Sequence, residues 1–72
     1  METIDLHGIP HEFVRGDLIR KIETLWNSDT ILEIITGNSL KMKEIVIEIL
    51  EEYQLEYTIG DLYNQGYIKT TI

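Results

Sequence analysis

Polar and apolar positions change period several times along the chain. From Thr3 to His7 they alternate, with Ile4 and Leu6 on one side and Asp5 and His7 on the other, as in a strand with one apolar face. Beyond Gly8 the period lengthens. Val14, Leu18, Ile22 and Leu25 recur at near-helical spacing, with Arg15, Asp17, Arg20, Lys21 and Glu23 mostly between them, which predicts a helix running to about Trp26 with one buried stripe. Pro10 suits the start of that helix, where a missing N–H costs nothing. The turn residues NSD at 27–29 lead into TILEIITG from Thr30, a β-branched, almost continuously apolar run whose one charge is Glu33, and this predicts a central strand. After Gly37, either Asn38 or Ser39 can cap a second helix, in which Met42, Ile45, Val46, Ile49, Leu50 and Tyr53 follow the i, i+3, i+4 pattern. LEYTI at 55–59 and YIKTTI at 67–72 alternate again. Joined by the long polar and aromatic loop GDLYNQG, they predict a hairpin.

The predicted order is therefore β-α-β-α-β-β. Two right-handed crossovers put both helices on one face of a four-stranded mixed sheet, an α/β chain folded as a two-layer α+β sandwich over residues 1–72. Asp5 and His7, Glu33, Glu56 and Thr58, and Lys69 and Thr71 sit at the parity of an open sheet face. A chain of 72 residues buries only about 60% of its unfolded surface, so a large enclosed pocket is not expected. With no cysteine, neither disulfides nor cysteine zinc sites support the core, and the composition suits a reducing cytosol. No apolar run approaches the length of a membrane span, and Met1 stands almost directly before the first strand, so the expectation is a cytoplasmic protein without membrane contact.

Charge sharpens the functional question. The net charge of −7 repels a polyanion on average, and neither half of the chain is a basic module. Placement can override the mean, because a Debye length of about 8 Å at physiological salt hides distant charges from a bound phosphate. Lys41 and Lys43 stand at the start of the second helix, against its dipole. Either a solvated helix end tolerates them, or they meet an anion held by that same end. Asp5 and His7 share a face at a strand end closed by Gly8. There His7 can serve as a general acid or base oriented by Asp5, or Asp5 can help hold a divalent ion such as Mg2+ or Mn2+. The plainer alternative has Asp5 accepting loop N–H groups while His7 packs over the sheet end. His11 could form a histidine pair with His7, but the commoner reading is a solvated first-turn residue. Trp26, Tyr57 and Tyr67 read as packing residues, which leaves Tyr63 as the aromatic suited to stacking on an unpaired base. Glu44, Glu48, Glu51 and Glu52 form an acidic helix face that would suit a basic protein, although a solvated face is the commoner case.

DLHG at 5–8 before one helix and IITG at 34–37 before another resemble the small MutS-related (Smr) domain, over essentially the whole chain from Thr3 to Ile72. Members of that family carry an acid–x–His–Gly motif after the first strand, a Thr/His–Gly–x–Gly loop after the second and an apolar C-terminal hairpin. Their fold is like the C-terminal domain of translation initiation factor three. The resemblance implies nucleic-acid binding and, in a number of members, endonuclease or nicking activity on DNA or RNA. Asp5, His7 and Gly8 match the first motif, and Thr36 and Gly37 match the start of the second, with Ser39 where its second glycine usually stands. Carried onto these positions, it implies a catalytic pair of Asp5 and His7 beside a substrate-binding group of Gly8, Thr36, Gly37, Asn38, Ser39, Lys41 and Lys43. The expected activity is weak cleavage of RNA or single strands, since an acidic domain has little basic surface for gripping a duplex. The alternative is a non-catalytic interaction module that binds nucleic acid or a basic protein partner.

Overall fold

A computed structural model describes all residues from Met1 to Ile72. The elements follow the order β1 (Glu2–Asp5), α1 (His11–Thr24), β2 (Ile31–Ile35), α2 (Leu40–Glu52), β3 (Tyr57–Ile59) and β4 (Tyr67–Thr71). The sheet order is β1-β2-β4-β3, with β1 parallel to β2 and the other neighbours antiparallel. The predicted four-stranded mixed sheet and the β-α-β-α-β-β order are thus the observed ones.

Each helix buries a single stripe: Val14, Leu18 and Ile22 from α1, and Met42, Val46, Ile49 and Leu50 from α2. They meet Leu6, Leu32, Ile34 and Ile68 in one core, all of these on the same parity of the sheet. Burying side chains of this size stabilises by about 1.5–3 kcal/mol each, and both helices bury their stripes in this one core. The opposite sheet face therefore stays open, and register lines up Asp5, Ile35 and Tyr67 in one row and Thr3, Glu33, Lys69 and Thr58 in the next. Ile31 in β2 is half exposed on that face.

Element boundaries depart from the sequence reading where side chains compete with the backbone ladder. β1 stops at Asp5 rather than His7, because the Asp5 carboxylate accepts the His7 N–H and turns it away from the sheet. α1 stops at Thr24 rather than Trp26, with Leu25 as its cap and Asn27 and Asp29 at positive φ in the following turn. β3 is shorter than 55–59. Gln54 adopts φ 58 at the end of α2, and the Gln54 and Leu55 N–H groups return to the carbonyls of Glu51 and Leu50 in a Schellman closure.

Three ion pairs tie the periphery. Arg15 on α1 forks onto both carboxylate oxygens of Glu52 on α2, Lys21 reaches Glu2 at 2.8 Å and Arg20 pairs with Asp17. The guanidinium bond holds the Glu52 carboxyl below its ordinary range, and the Lys21 bond does the same for Glu2. No helix is long and apolar enough to cross a membrane.

Candidate functional site

Both parallel strands run out at the same end of the sheet, and each turns there into a helix. After β1, Leu6 plunges into the core and its carbonyl accepts the Ile9 N–H at 3.0 Å. His7 and Gly8 are the middle of this turn, and Gly8 takes φ 82, the left-handed value that a type II turn demands at its third residue. Asp5 Oδ1 accepts the His7 N–H at 3.0 Å and fixes the entry to the turn. After β2, the Thr36 hydroxyl donates to the Gly37 carbonyl at 2.9 Å. The Thr36 and Gly37 N–H groups both donate to the carbonyl of Gly66, just before β4, at 2.9 Å each. Ser39 then caps α2, its hydroxyl accepting the Met42 N–H at 3.1 Å.

The two turns touch. Gly37 has φ 68, and a Cβ placed on it would lie 2.9 Å from Cδ2 of the His7 ring. Only glycine lets the imidazole lie this close to the second turn. Between the turns is an open cleft of about 570 Å³, lined among others by His7, Gly8, His11, Thr36, Asn38 and Ser39. The N-termini of α1 and α2 both border it, so main-chain N–H groups without intrahelical acceptors and the positive dipole ends of two helices converge there.

The candidate residues divide into two sets. His7, Gly8, Thr36, Asn38 and Ser39 line the cleft, and Gly37 adjoins it through the His7 ring. Asp5 does not line it: the residue borders a neighbouring depression on the β1 edge, with Asp17, Arg20 and Lys21 of α1. No hydrogen bond joins the Asp5 carboxylate to the His7 imidazole, and their one link is the Asp5 bond to the His7 main chain. Thr36 is buried, and its hydroxyl and N–H are engaged within the fold, so its part is to hold the turn. Lys41 and Lys43 are in the first turn of α2 and outside the lining, Lys41 exposed and Lys43 half-buried. They are the two cations of the chain with no acidic or aromatic partner, since Lys69 lies 5.6 Å from the centre of the Tyr67 ring and the other three are in ion pairs.

The sequence reading set His11 aside, yet it lines the cleft opposite the second turn. Its signal was present. The tight Gly8 turn reverses the chain between His7 and the first residue of α1, which brings two imidazoles four residues apart to one opening. No three ligating side chains converge on one point, so the chain offers no all-protein cage for Mg2+ or Mn2+.

Fold and site together define a class: a two-layer α+β domain with an open cleft between two helix N-termini, at the carboxyl ends of its parallel strands. Ligands of open α/β sheets gather at that place. Comparison with known proteins goes no further, for no family model, curated protein or solved structure matches the chain.

Proposed function

We propose that this chain is a cytoplasmic nucleic-acid-binding domain of the small MutS-related type, which takes the sugar-phosphate backbone of a single strand at the cleft between the two helix N-termini. The observation that carries the reading is the pair Lys41 and Lys43, unpartnered in a chain whose other four cations are all engaged. A cation in the first turn of a helix opposes the dipole, and a bound phosphate relieves that opposition while also accepting from the free N–H groups. The net charge of −7 leaves little basic surface elsewhere, which favours a flexible single strand over a duplex. The test is fluorescence anisotropy of a labelled single-stranded oligonucleotide across a salt series. Replacing both lysines by alanine should weaken binding and reduce the salt slope by about 0.7 for each phosphate that is no longer neutralised. Unchanged binding would put the anion site elsewhere, and affinity for a basic protein with none for nucleic acid would overturn the reading in favour of the acidic helix face as the interaction surface.

A second reading adds weak endonuclease activity, and the observation behind it is the His7 imidazole, which lines the cleft without a side-chain hydrogen bond and is free to move a proton at a bound phosphate. On this geometry Asp5 acts through the main chain as a positioning residue. His7→Ala should then lower cleavage of RNA by about 10²- to 10⁴-fold, the usual weight of a general acid or base, with circular dichroism unchanged. Asp5→Asn keeps an acceptor oxygen for the His7 N–H and should cost far less. Binding without cleavage in the parent protein would leave the non-catalytic interaction module.

A further inference from the structure

The loop between β3 and β4 ends at Gly66, whose carbonyl holds the Thr36 and Gly37 N–H groups, so the loop stands at the same end of the sheet as the cleft. It is closely built. Asp61 Oδ1 accepts the N–H groups of Tyr63 and Asn64 at 2.7 Å each, and its Oδ2 accepts the Tyr67 hydroxyl at 3.0 Å. Asn64 Oδ1 accepts the Gly66 N–H at 2.8 Å, and the Asn64 carbonyl accepts the Asp61 N–H at 2.8 Å. The two main-chain bonds, chiefly, keep the Asp61 carboxyl below its ordinary range, so the carboxylate stays charged as the hub of the loop.

What this framework presents at its tip is apolar. Leu62 is 93% exposed and Tyr63 is 97% exposed, and the Tyr63 hydroxyl makes no hydrogen bond. Holding two large side chains in water on a hydrogen-bonded loop lowers the conformational entropy lost when something covers them. We propose that Tyr63, flanked by Leu62, is a stacking platform for an unpaired nucleobase of the strand whose phosphates lie in the neighbouring cleft. The proposal rests on the nucleic-acid reading and adds how a strand is gripped and which strands qualify. A base in a duplex has no free face, whereas every unpaired base has one, so a stacking contact selects single strands with little regard to sequence. It also supplies affinity without cations, the kind of contact open to a chain with 13 acidic and 6 basic side chains. A nucleobase fits better than an apolar protein groove because the exposed aromatic shares its end of the sheet with the cleft and with the first turn of α2, where Lys41 and Lys43 lie.

The experiment compares Tyr63→Ala, Tyr63→Phe and the Lys41→Ala/Lys43→Ala double variant with the parent protein, by anisotropy with a short labelled oligouridylate and with the same strand made abasic. Circular dichroism confirms that each is folded. Tyr63→Ala should weaken oligouridylate binding by between about 5-fold and about 150-fold, the range for losing one stacked base, with the salt slope unchanged. Tyr63→Phe keeps a ring and should keep the affinity. On the abasic strand the Tyr63→Ala penalty should disappear, while the lysine penalty should remain. Oligouridylate binding that depends on the lysines but is the same for Tyr63→Ala and parent would overturn the stacking platform and leave the phosphate reading standing. A Tyr63 penalty undiminished on the abasic strand would show that the ring contacts something other than a base, and would also overturn it. No binding of either strand by any form would remove both.

Discussion

The two strand-to-helix turns do the same job by opposite means. The first, Leu6 to Pro10, is closed from within. Asp5 accepts from His7, Leu6 accepts from Ile9, and α1 starts at His11 after Pro10, which supplies no side-chain cap. The second, Thr36 to Ser39, is held from outside by the Gly66 carbonyl and continues into a helix capped by Ser39. The bonds that close the first turn, Asp5 to His7 and Leu6 to Ile9, join residues at most three apart, and its outside bond, the Leu6 N–H to the Ile35 carbonyl at 2.9 Å, only continues the β1–β2 ladder, so its shape is set by its own segment. The second needs the chain to return through β3 and β4 before it is complete. The cleft between them therefore has a locally specified wall bearing His7 and His11, and a wall whose position depends on the hairpin loop. Any change in that loop should reach the second turn first.

The glycines of the two turns give the largest contrast. Gly8 and Gly37 both have positive φ, and a non-glycine residue in that region costs roughly 1–2 kcal/mol. A Cβ on Gly8 meets nothing within 4 Å, so Gly8→Ala should lose about that much and no more in urea denaturation. Gly37→Ala carries the same strain and must also push the His7 ring aside, so its loss should be the greater, with a shift of the His7 imidazole resonances. Equal losses and an unmoved His7 signal would show that the two turns do not bear on one another.

A middle-sized effect separates capping from local closure. Ser39→Ala removes the acceptor of the Met42 N–H and should cost about 1 kcal/mol. Asp5→Asn retains an acceptor for the His7 N–H at an exposed position, and its cost should stay within about 0.5 kcal/mol. If Asp5→Asn proved the more damaging in denaturation, the carboxylate charge rather than the turn bond would be its contribution.

The smallest effect concerns pH. Folding lowers the Asp61 carboxyl from its ordinary value of 3.8, by the main-chain bonds of Tyr63 and Asn64 and then by the Tyr67 hydroxyl. A depressed carboxyl contributes stability that is present above its unfolded value and is lost as pH falls through the folded one. The loop, and through Gly66 the second turn, should therefore loosen only in strong acid, below about pH 4. Amide resonances of Gly37 and Gly66 should move there before those of Gly8 and Ile9. Asp61→Asn, which keeps an acceptor oxygen, should flatten that part of the titration. Simultaneous movement of all four amides would mean that the hairpin loop does not support the second turn selectively.

Legibility in the sequence follows the same division. The stripes Val14, Leu18, Ile22 and Met42, Val46, Ile49, Leu50 could be read directly, because a helix buries a face set by its own period. The first turn was legible as an acid two residues before an N–H and a glycine where φ must be positive. The role of Gly66 was not, since nothing near residue 66 marks its carbonyl as the acceptor for a turn about 30 residues earlier. The engagement of Arg15 by Glu52, 37 positions away, was equally hidden, and with it the distinction between engaged cations and the free Lys41 and Lys43. The pattern around His11 is that of a solvated residue, and it is exposed, yet the turn before it brings it to the cleft with His7.

By itself, then, the sequence determined the elements, their order, the faces they bury and the two-layer architecture, because periodicity, turn chemistry and crossover handedness all act over short stretches of chain. Only the tertiary structure decided that Asp5 serves the main chain of His7 rather than its ring, that His11 joins the cleft and that two of the six cations remain unpartnered. Each of those outcomes depends on which distant groups the completed sheet and helix pair bring within hydrogen-bond reach, and that reach of about 3 Å exists only once the whole chain is packed.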